Sequence, residues 1–126
     1  MGVIPYNPLA GGFLTGKHDR SAPPPEGGRF TLGRAGGMYQ ERYWHTNEFD
    51  AVEQIRDIAK GAGLSMTTLA VAWVLAHPAI TSAIVGASRP EQLADSLAAA
   101  SAPLDGALKE RLDELTRGYR MGDAAR

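Results

Sequence analysis

Residues 86–93 combine a hydroxyl, an arginine and a helix start in one short segment. Small residues and Ser88 follow an apolar run, Arg89 comes next, and Pro90 suits the first position of a helix. Free backbone N–H groups and the dipole at a helix start attract an anion, and an arginine adds a charge with bidentate geometry. The same residues equally fit an ordinary serine cap beside a solvated arginine, so both interpretations stay open on this segment alone.

A second candidate for anion binding is the glycine-rich segment Gly11-Gly12-Phe13-Leu14-Thr15-Gly16-Lys17. Its glycines and lysine match part of the loop that cradles nucleotide triphosphates. The next residue, however, is His18, where that loop requires a Ser or Thr for magnesium. The downstream run Pro23-Pro24-Pro25 also cannot open the helix that such a loop needs. We therefore interpret the segment as a glycine-rich loop that leaves a strand.

The histidines and the missing cysteines argue against a metal centre. His18, His45 and His77 have no His-x-x-x-His spacing, and the sequence contains no cysteine. Disulfides, thiolate zinc sites and cysteine nucleophiles are thereby excluded. His77 stands just before Pro78, where we expect the C-terminal end of a helix whose dipole accounts for it.

Length, composition and charge fit one modest domain. The chain has 126 residues, 44% of them hydrophobic, with 13 basic and 14 acidic side chains and a net charge of −1. This balance gives no electrostatic footprint for nucleic acid or an anionic membrane. The longest apolar stretch, residues 69–76, is far shorter than the roughly 20 residues of a membrane span. We expect a soluble, cytoplasmic α/β protein that binds neither nucleic acid nor membranes.

Two short apolar runs, residues 3–6 and residues 80–85, predict buried strands. Helices are predicted between and after them, so we expect parallel strands with helical crossovers. The Gly- and Pro-rich residues 7–45 predict no regular structure, with a long functional or disordered loop over residues 18–46. Domains rarely open on a central strand, so we expect further residues upstream of Met1.

Four helices are predicted in the rest of the chain. Asn47 and Ser65 are the expected caps of the first two, and the second, residues 66–77, is apolar on nearly all sides. Pro90 is expected to start the third, with Leu93 and Leu97 facing inward. The apolar residues at helical spacing that predict the first and fourth helices are Phe49, Val52, Ile55, Ile58, Ala59 and Ala62, followed by Leu104, Leu108, Leu112 and Leu115.

Two separate segments, in the right order, resemble the aldo-keto reductase family. Pro5-Tyr6-Asn7-Pro8-Leu9-Ala10-Gly11-Gly12-Phe13-Leu14-Thr15-Gly16-Lys17 resembles that family's seventh barrel strand and following loop. Ile84-Val85-Gly86-Ala87-Ser88-Arg89-Pro90-Glu91-Gln92-Leu93 resembles its eighth strand and the start of its last barrel helix. The resemblance implies an α/β fold that is the C-terminal portion of a (β/α)8 TIM barrel, with two parallel strands and about four helices. It implies one partial domain over residues 1–126, with a frayed tail over residues 118–126.

The resemblance also implies that NADP(H) is the cofactor and that the family reduces carbonyls by hydride transfer. Tyr6 matches the aromatic residue that stacks on the nicotinamide, and Lys17 matches a lysine near the phosphates. Ser88 and Arg89 match positions that hold the 2′-phosphate, whereas Arg29 is a looser match. The full set of implied cofactor positions is Tyr6, Asn7, Pro8, Leu9, Ala10, Gly11, Lys17, Arg29, Gly86, Ser88, Arg89, Gln92, Asp95 and Ser96. The family usually has Glu-Asn at the positions of Asp95 and Ser96. This chain therefore has a shorter acid at the first position and a hydroxyl in place of the amide at the second.

The family's catalytic Asp, Tyr, Lys and His come from the first half of its barrel, and no residues of this sequence match them. The resemblance therefore implies a cofactor-binding part of a reductase that is not active alone. Two alternatives stay open. One is a module that binds a dinucleotide or another anion without turnover, and the other is a structural unit. Such a unit covers its open strand edges by self-association or with a complementing barrel half.

Overall fold

A computed structural model describes residues 1–102 and 104–119. The described chain is rich in helix and has no β-strand ladder. Its elements are a 3₁₀ helix Ala10–Thr15, α1 (Gly33–Tyr43), α2 (Thr46–Gly61), α3 (Met66–Leu75), a 3₁₀ turn Pro90–Gln92, α4 (Leu93–Ala98), α5 (Gly106–Leu115) and a 3₁₀ turn Arg117–Tyr119.

The two runs predicted as buried strands are extended, but the prediction of regular, buried strands is wrong. Isolated parallel bridges join Val3 to Ile80 and Tyr6 to Ile84, so the predicted neighbours and their direction are correct. A parallel ladder continues only where each strand has enough paired neighbours, and here each run meets one partner. Ile4, Tyr6 and Ile84 are 57%, 76% and 56% exposed. Ile4 and Tyr6 are two positions apart and Tyr6 bridges to Ile84, so the three side chains form one open apolar face.

Helix α1 lies within the stretch predicted as an irregular loop, which corrects that prediction. Its glycines are poor helix formers, so propensity pointed to a loop. Gly36 is nevertheless buried within α1. A Cβ at this position would lie only 2.8 Å from the carbonyl oxygen of Phe30, so a larger residue does not fit. The close approach of α1 to Phe30 therefore requires glycine at position 36, and tertiary packing overrides the low helix propensity of glycine. Phe13, Phe30, Trp44 and Phe49 pack beside it, most pairs edge to face and the Phe13–Phe30 pair tilted.

Helix α2 buries the apolar face predicted for it, except that Ala62 lies beyond the helix end and is exposed. Asn47 is not the cap: His45 precedes the helix, no side chain caps it, and Asn47 lies inside the first turn. Ser65 does cap α3, since its Oγ accepts the N–H of Thr68 at 3.0 Å. Helix α3 ends at Leu75, two residues before the predicted end.

Ser65 caps a helix and Asn47 does not, and this difference can be tested by stability measurements. Replacing Ser65 with alanine is expected to lower the free energy of unfolding by about 1 kcal/mol, because one N–H at the start of α3 loses its acceptor. Asn47→Ala is the matched control and is expected to change it by less than about 0.5 kcal/mol. Urea unfolding followed by circular dichroism measures both. Equal losses for the two variants would contradict the cap assignment.

Helix α3 packs between two apolar clusters, and Leu69 and Val71 are 1% and 2% exposed. Along the described ranges no single helix is long and apolar enough to cross a membrane. Only α2 and α3 together reach that length and composition, and they are bent by 92° relative to each other.

Helix α4 follows Pro90 as predicted, but the expectation that Leu97 faces inward is wrong. Leu97 is 64% exposed, because Ser96 and Ala99 are the α4-region residues buried against the core. Helix α5 is held to α3 by the indole N–H of Trp73, which donates to Asp113 Oδ1 at 2.8 Å. The predicted frayed tail, residues 118–126, begins within a 3₁₀ turn, Arg117–Tyr119, and residues 120–126 lie outside the described residues.

Candidate functional site

The first loop of the candidate site begins at Tyr6, at the end of the bridged pair, and turns back on itself at once. Asn7 has a φ of +60°, and its Oδ1 accepts the N–H of Gly11 at 2.7 Å. Ala10, Gly11 and Gly12 also have positive φ values of 50°, 69° and 97°. Such backbone geometry favours glycine, and it lets the chain form a tight turn with its backbone accessible. Pro8 and Leu9 are half-buried within this turn.

Two cationic side chains flank the glycine pair. A Cβ on Gly12 would lie 3.9 Å from Lys17 Nζ, so the ammonium group stands beside the turn. Arg29 lies on the ring of Tyr39 with its guanidinium carbon 5.8 Å from the ring centroid. Tyr39 in turn packs on Gly11, where a Cβ would come within 2.6 Å of its ring. Lys17 and Arg29 are both exposed, so they can pair with a bound anion.

The second loop gathers several donors at one point. Gln92 Oε1 accepts the N–H of Ser88 at 2.9 Å, the hydroxyl of Ser88 at 3.0 Å and the N–H of Arg89 at 3.3 Å. Gly86, Ser88, Arg89 and Gln92 are all exposed. The loop therefore has a defined shape, fixed by the Gln92 side chain, and presents Arg89 to solvent.

The bridge between Tyr6 and Ile84 brings the two loops to the same edge of the extended pair, since both leave it in the same direction. Leu9 of the first loop and Val85 before the second pack on one cluster, formed by Val71, Ala72 and Ala99. This shared packing fixes one loop relative to the other.

The last two predicted positions lie on α4, and the structure separates them. Asp95 is exposed, and its carbonyl oxygen accepts the hydroxyl of Thr68 on α3 at 2.8 Å. Ser96 is 6% exposed and lies on the side of α4 that packs against the core. The side chain of Ser96 therefore has little access to solvent, and its contact with the cofactor stays a prediction.

Sequence reasoning missed three residues that shape the first loop. Tyr39 was missed because α1 was not predicted. Arg56 of α2 donates to the carbonyl oxygen of Gly16 at 2.8 Å, and no sequence signal marks that contact over 40 positions. His18, considered only as a metal ligand, packs with ring centroids 5.1 Å from Phe30 and Trp44. Burial, and then the charge of Lys17, lowers the pKa of His18 below its ordinary value of 6.5.

Other types of site find little support in the part of the chain that the structure describes. No group of three His, Asp or Glu side chains there could hold a metal ion. An open groove lies between α2 and α5, lined by Gln54, Asp57, Glu110 and Arg111 together with apolar side chains. The predicted positions all lie outside this groove.

Comparison with known proteins gives consistent matches. A model of the aldo/keto reductase family matches residues 1–117. Aldo-keto reductase family 7 member A3 of Homo sapiens is 37% identical over 122 residues, which cover 86% of this chain and 37% of that protein. Aflatoxin B1 aldehyde reductase member 2 of Rattus norvegicus is 34% identical over 122 residues, which cover 86% of this chain and 33% of that protein.

A glycerol dehydrogenase structure from Gluconobacter oxydans is similar with a TM-score of 0.72 and 23% sequence identity. The similarity covers 94% of this chain and 35% of that chain, and it assigns the described helices to the TIM-barrel fold. This chain thus spans about a third of the length of the proteins it matches.

Proposed function

This chain belongs to the aldo/keto reductase family, and on that basis we propose that it binds NADP(H) as the C-terminal part of a carbonyl-reducing barrel. The observation that carries the proposal is the parallel bridge from Tyr6 to Ile84, from which both predicted cofactor loops leave in one direction. Phosphate groups in TIM barrels commonly bind at the loops after the last two strands, beside a helix start. Both loops here follow extended runs, and the second stands directly before α4, which supports the proposal.

The charges of the residues present fit those of a phosphorylated dinucleotide. Lys17 and Arg29 flank the glycine turn, where they would neutralise the diphosphate. Arg89 and the hydroxyl of Ser88 would hold the 2′-phosphate, and Tyr6, which is 76% exposed, would stack on the nicotinamide ring. When bound, the cofactor supplies the hydride that reduces a carbonyl. The protein's part in this step is to orient the dinucleotide and to compensate its negative charges.

The open apolar face of Ile4, Tyr6 and Ile84 supports the proposal that this chain is an incomplete barrel. We infer that the runs 3–6 and 80–85 become regular strands when the other barrel strands lie beside them, because a closed barrel leaves no unpaired edge. The partner is then a complementing barrel segment, in the cytoplasm. Association of two copies of this chain through the same face is the alternative.

Arg89→Ala tests the cofactor assignment through its selectivity. A charge-assisted hydrogen bond contributes roughly 1.5–3 kcal/mol, which corresponds to about ten- to a hundred-fold discrimination. The wild-type chain is expected to bind NADPH tighter than NADH by that factor, and Arg89→Ala is expected to remove the difference with little change for NADH. Titration calorimetry at low and high salt measures this, and the NADPH preference is expected to shrink as salt rises.

Arg111→Ala, which removes an exposed arginine on α5, is the matched control and is expected to keep the preference for NADPH. Equal wild-type affinities for the two cofactors would contradict the role of Arg89. An equal loss in both arginine variants would show a general charge effect instead. Absence of binding to either cofactor would contradict the cofactor-binding function of this chain.

A further inference from the structure

His18 connects the segment between Lys17 and Arg29 to the aromatic core. It directly follows Lys17, and its ring stacks on Phe13 with centroids 6.1 Å apart and an interplanar angle of 22°. It also meets Phe30, the residue after Arg29, edge to face at 5.1 Å. The imidazole thus lies where the two ends of the segment 17–30 come together.

One ring nitrogen of His18 is buried and lacks a hydrogen-bond partner among the described residues. Its Nε2 is buried and makes no hydrogen bond within the described residues, while Phe13 and Phe30 beside it are 3% and 1% exposed. A neutral imidazole tolerates this, because an unprotonated Nε2 is only an acceptor and leaves no N–H group without a partner. A protonated ring would place an unpaired N–H and a charge among aromatic rings, which is costly.

The charged groups around the ring do not offset that cost. Lys17 repels a second positive charge, and the 3₁₀ helix Ala10–Thr15 that contributes Phe13 has no ionisable residue. Arg29, next to Phe30, lies on Tyr39, and His45, next to Trp44, has its Nε2 at the Glu41 carbonyl oxygen. Other charged groups of the segment 17–30 and of the start of α2 have interactions of their own: Asp19, Arg20, Glu48, Asp50 and Glu53. Glu26, in the middle of the segment, is exposed.

We propose that His18 is a positioning residue of the cofactor site, whose neutral ring anchors the segment between Lys17 and Arg29 and whose protonation releases it. The inference rests on the proposed function, since it names how the two phosphate-facing cations are held. In the anchored loop both cations stand beside the Gly11–Gly12 turn. In the released loop they are no longer fixed there, and dinucleotide affinity falls.

The direction of the pH effect follows from the lowered pKa of His18. A released ring takes up a proton near the ordinary value of 6.5, whereas the anchored ring resists it. The anchored loop is therefore fully favoured above about pH 6.5 and progressively loses this advantage as the pH falls toward the lowered pKa. At one pH unit below the ordinary value, the equilibrium shifts by up to about tenfold.

The binding experiment uses the full chain and NADP⁺, which is stable in acid, at pH 7.5 and pH 5.5. The wild-type affinity is expected to fall by up to about tenfold more than that of His18→Phe, which keeps an aromatic ring and cannot titrate. His77→Phe is the matched control, because His77 is exposed and remote from the loop, and it is expected to behave as the wild type. The titration of the cofactor's own phosphate is common to all three proteins and cancels.

A ligand-free readout separates this proposal from the proposed function. Amide hydrogen exchange of residues 17–30 is expected to be faster in the wild type than in His18→Phe at pH 5.5 and equal at pH 7.5. NMR titration of the His18 ring in the wild type is expected to give a pKa below 6.5. A ring pKa at or above 6.5, or identical exchange in both proteins at both pH values, overturns the proposal even if NADP⁺ binds. Loss of NADP⁺ binding with the predicted exchange pattern contradicts only the cofactor function.

Discussion

The 126-residue chain alone is expected to give no NADPH-dependent reduction of a reactive aldehyde. General acid catalysis requires a donor held in place with a matched pKa, and it contributes about 10²–10⁴-fold to a rate. Tyr6 is 76% exposed, and its hydroxyl makes no hydrogen bond within residues 1–102 and 104–119. Lys17 lies beside the glycine turn, where its ammonium group is assigned to the cofactor phosphates. The loss of NADPH absorbance, followed with purified protein, measures the rate.

Two variants distinguish true turnover from contamination. Turnover that persists in Tyr6→Phe and Lys17→Met comes from another protein in the preparation and agrees with the prediction. Turnover that these substitutions abolish would contradict it, because residues assigned to cofactor binding would then supply the proton. Addition of a polypeptide that carries the remaining barrel strands is expected to restore activity, which follows from the proposed completion of the barrel.

Phe30→Ala is expected to destabilise the chain by about 3–5 kcal/mol, the usual cost of emptying an aromatic core position. Phe30 is 1% exposed and contacts Phe13, Tyr39 and Trp44, so its removal leaves a cavity where the first loop, α1 and α2 meet. Small domains have a total stability of about 5–15 kcal/mol. In a chain whose stability is near the lower end of that range, this loss leaves much of the population unfolded. Chemical unfolding followed by tryptophan fluorescence gives the difference.

Leu97→Ala is the control for that measurement. Leu97 is 64% exposed, and its truncation is expected to cost less than about 0.5 kcal/mol. A cost for Leu97→Ala as large as that for Phe30→Ala would mean that Leu97 is covered in solution, for example by a second copy of the chain. That result would favour the self-association alternative.

Local signals predicted those parts of the fold whose cause is local. The Ser65 cap and the apolar face of α2 each depend on a few neighbouring residues, and both are present. Helix α1 could not be predicted, because its glycines disfavour a helix and its close contact with Phe30 at Gly36 is a tertiary interaction. The prediction of regular strands was wrong because a ladder depends on neighbouring strands. Residues 3–6 and 80–85 have strand-like composition, but composition does not reveal which neighbours are present.

The candidate site divides in the same way. Both loops were found by their resemblance to a family, and the parallel neighbours Tyr6 and Ile84 account for their juxtaposition. The contacts that shape the first loop come from residues far along the chain, such as Tyr39 on Gly11 and Arg56 on Gly16. The burial of Ser96 was not foreseen, because a helix start does not reveal which side of α4 packs on the core. Tertiary packing decides these positions.

The central claim is that two loops from neighbouring extended runs form one dinucleotide site. Backbone NMR spectra of the ¹⁵N-labelled chain, recorded during a titration with NADP⁺, test it most directly. We expect saturable shifts with one common affinity in both loops, residues 6–17 and residues 86–92, and small shifts elsewhere. Shifts confined to one loop, or centred on the groove between α2 and α5, would contradict the account.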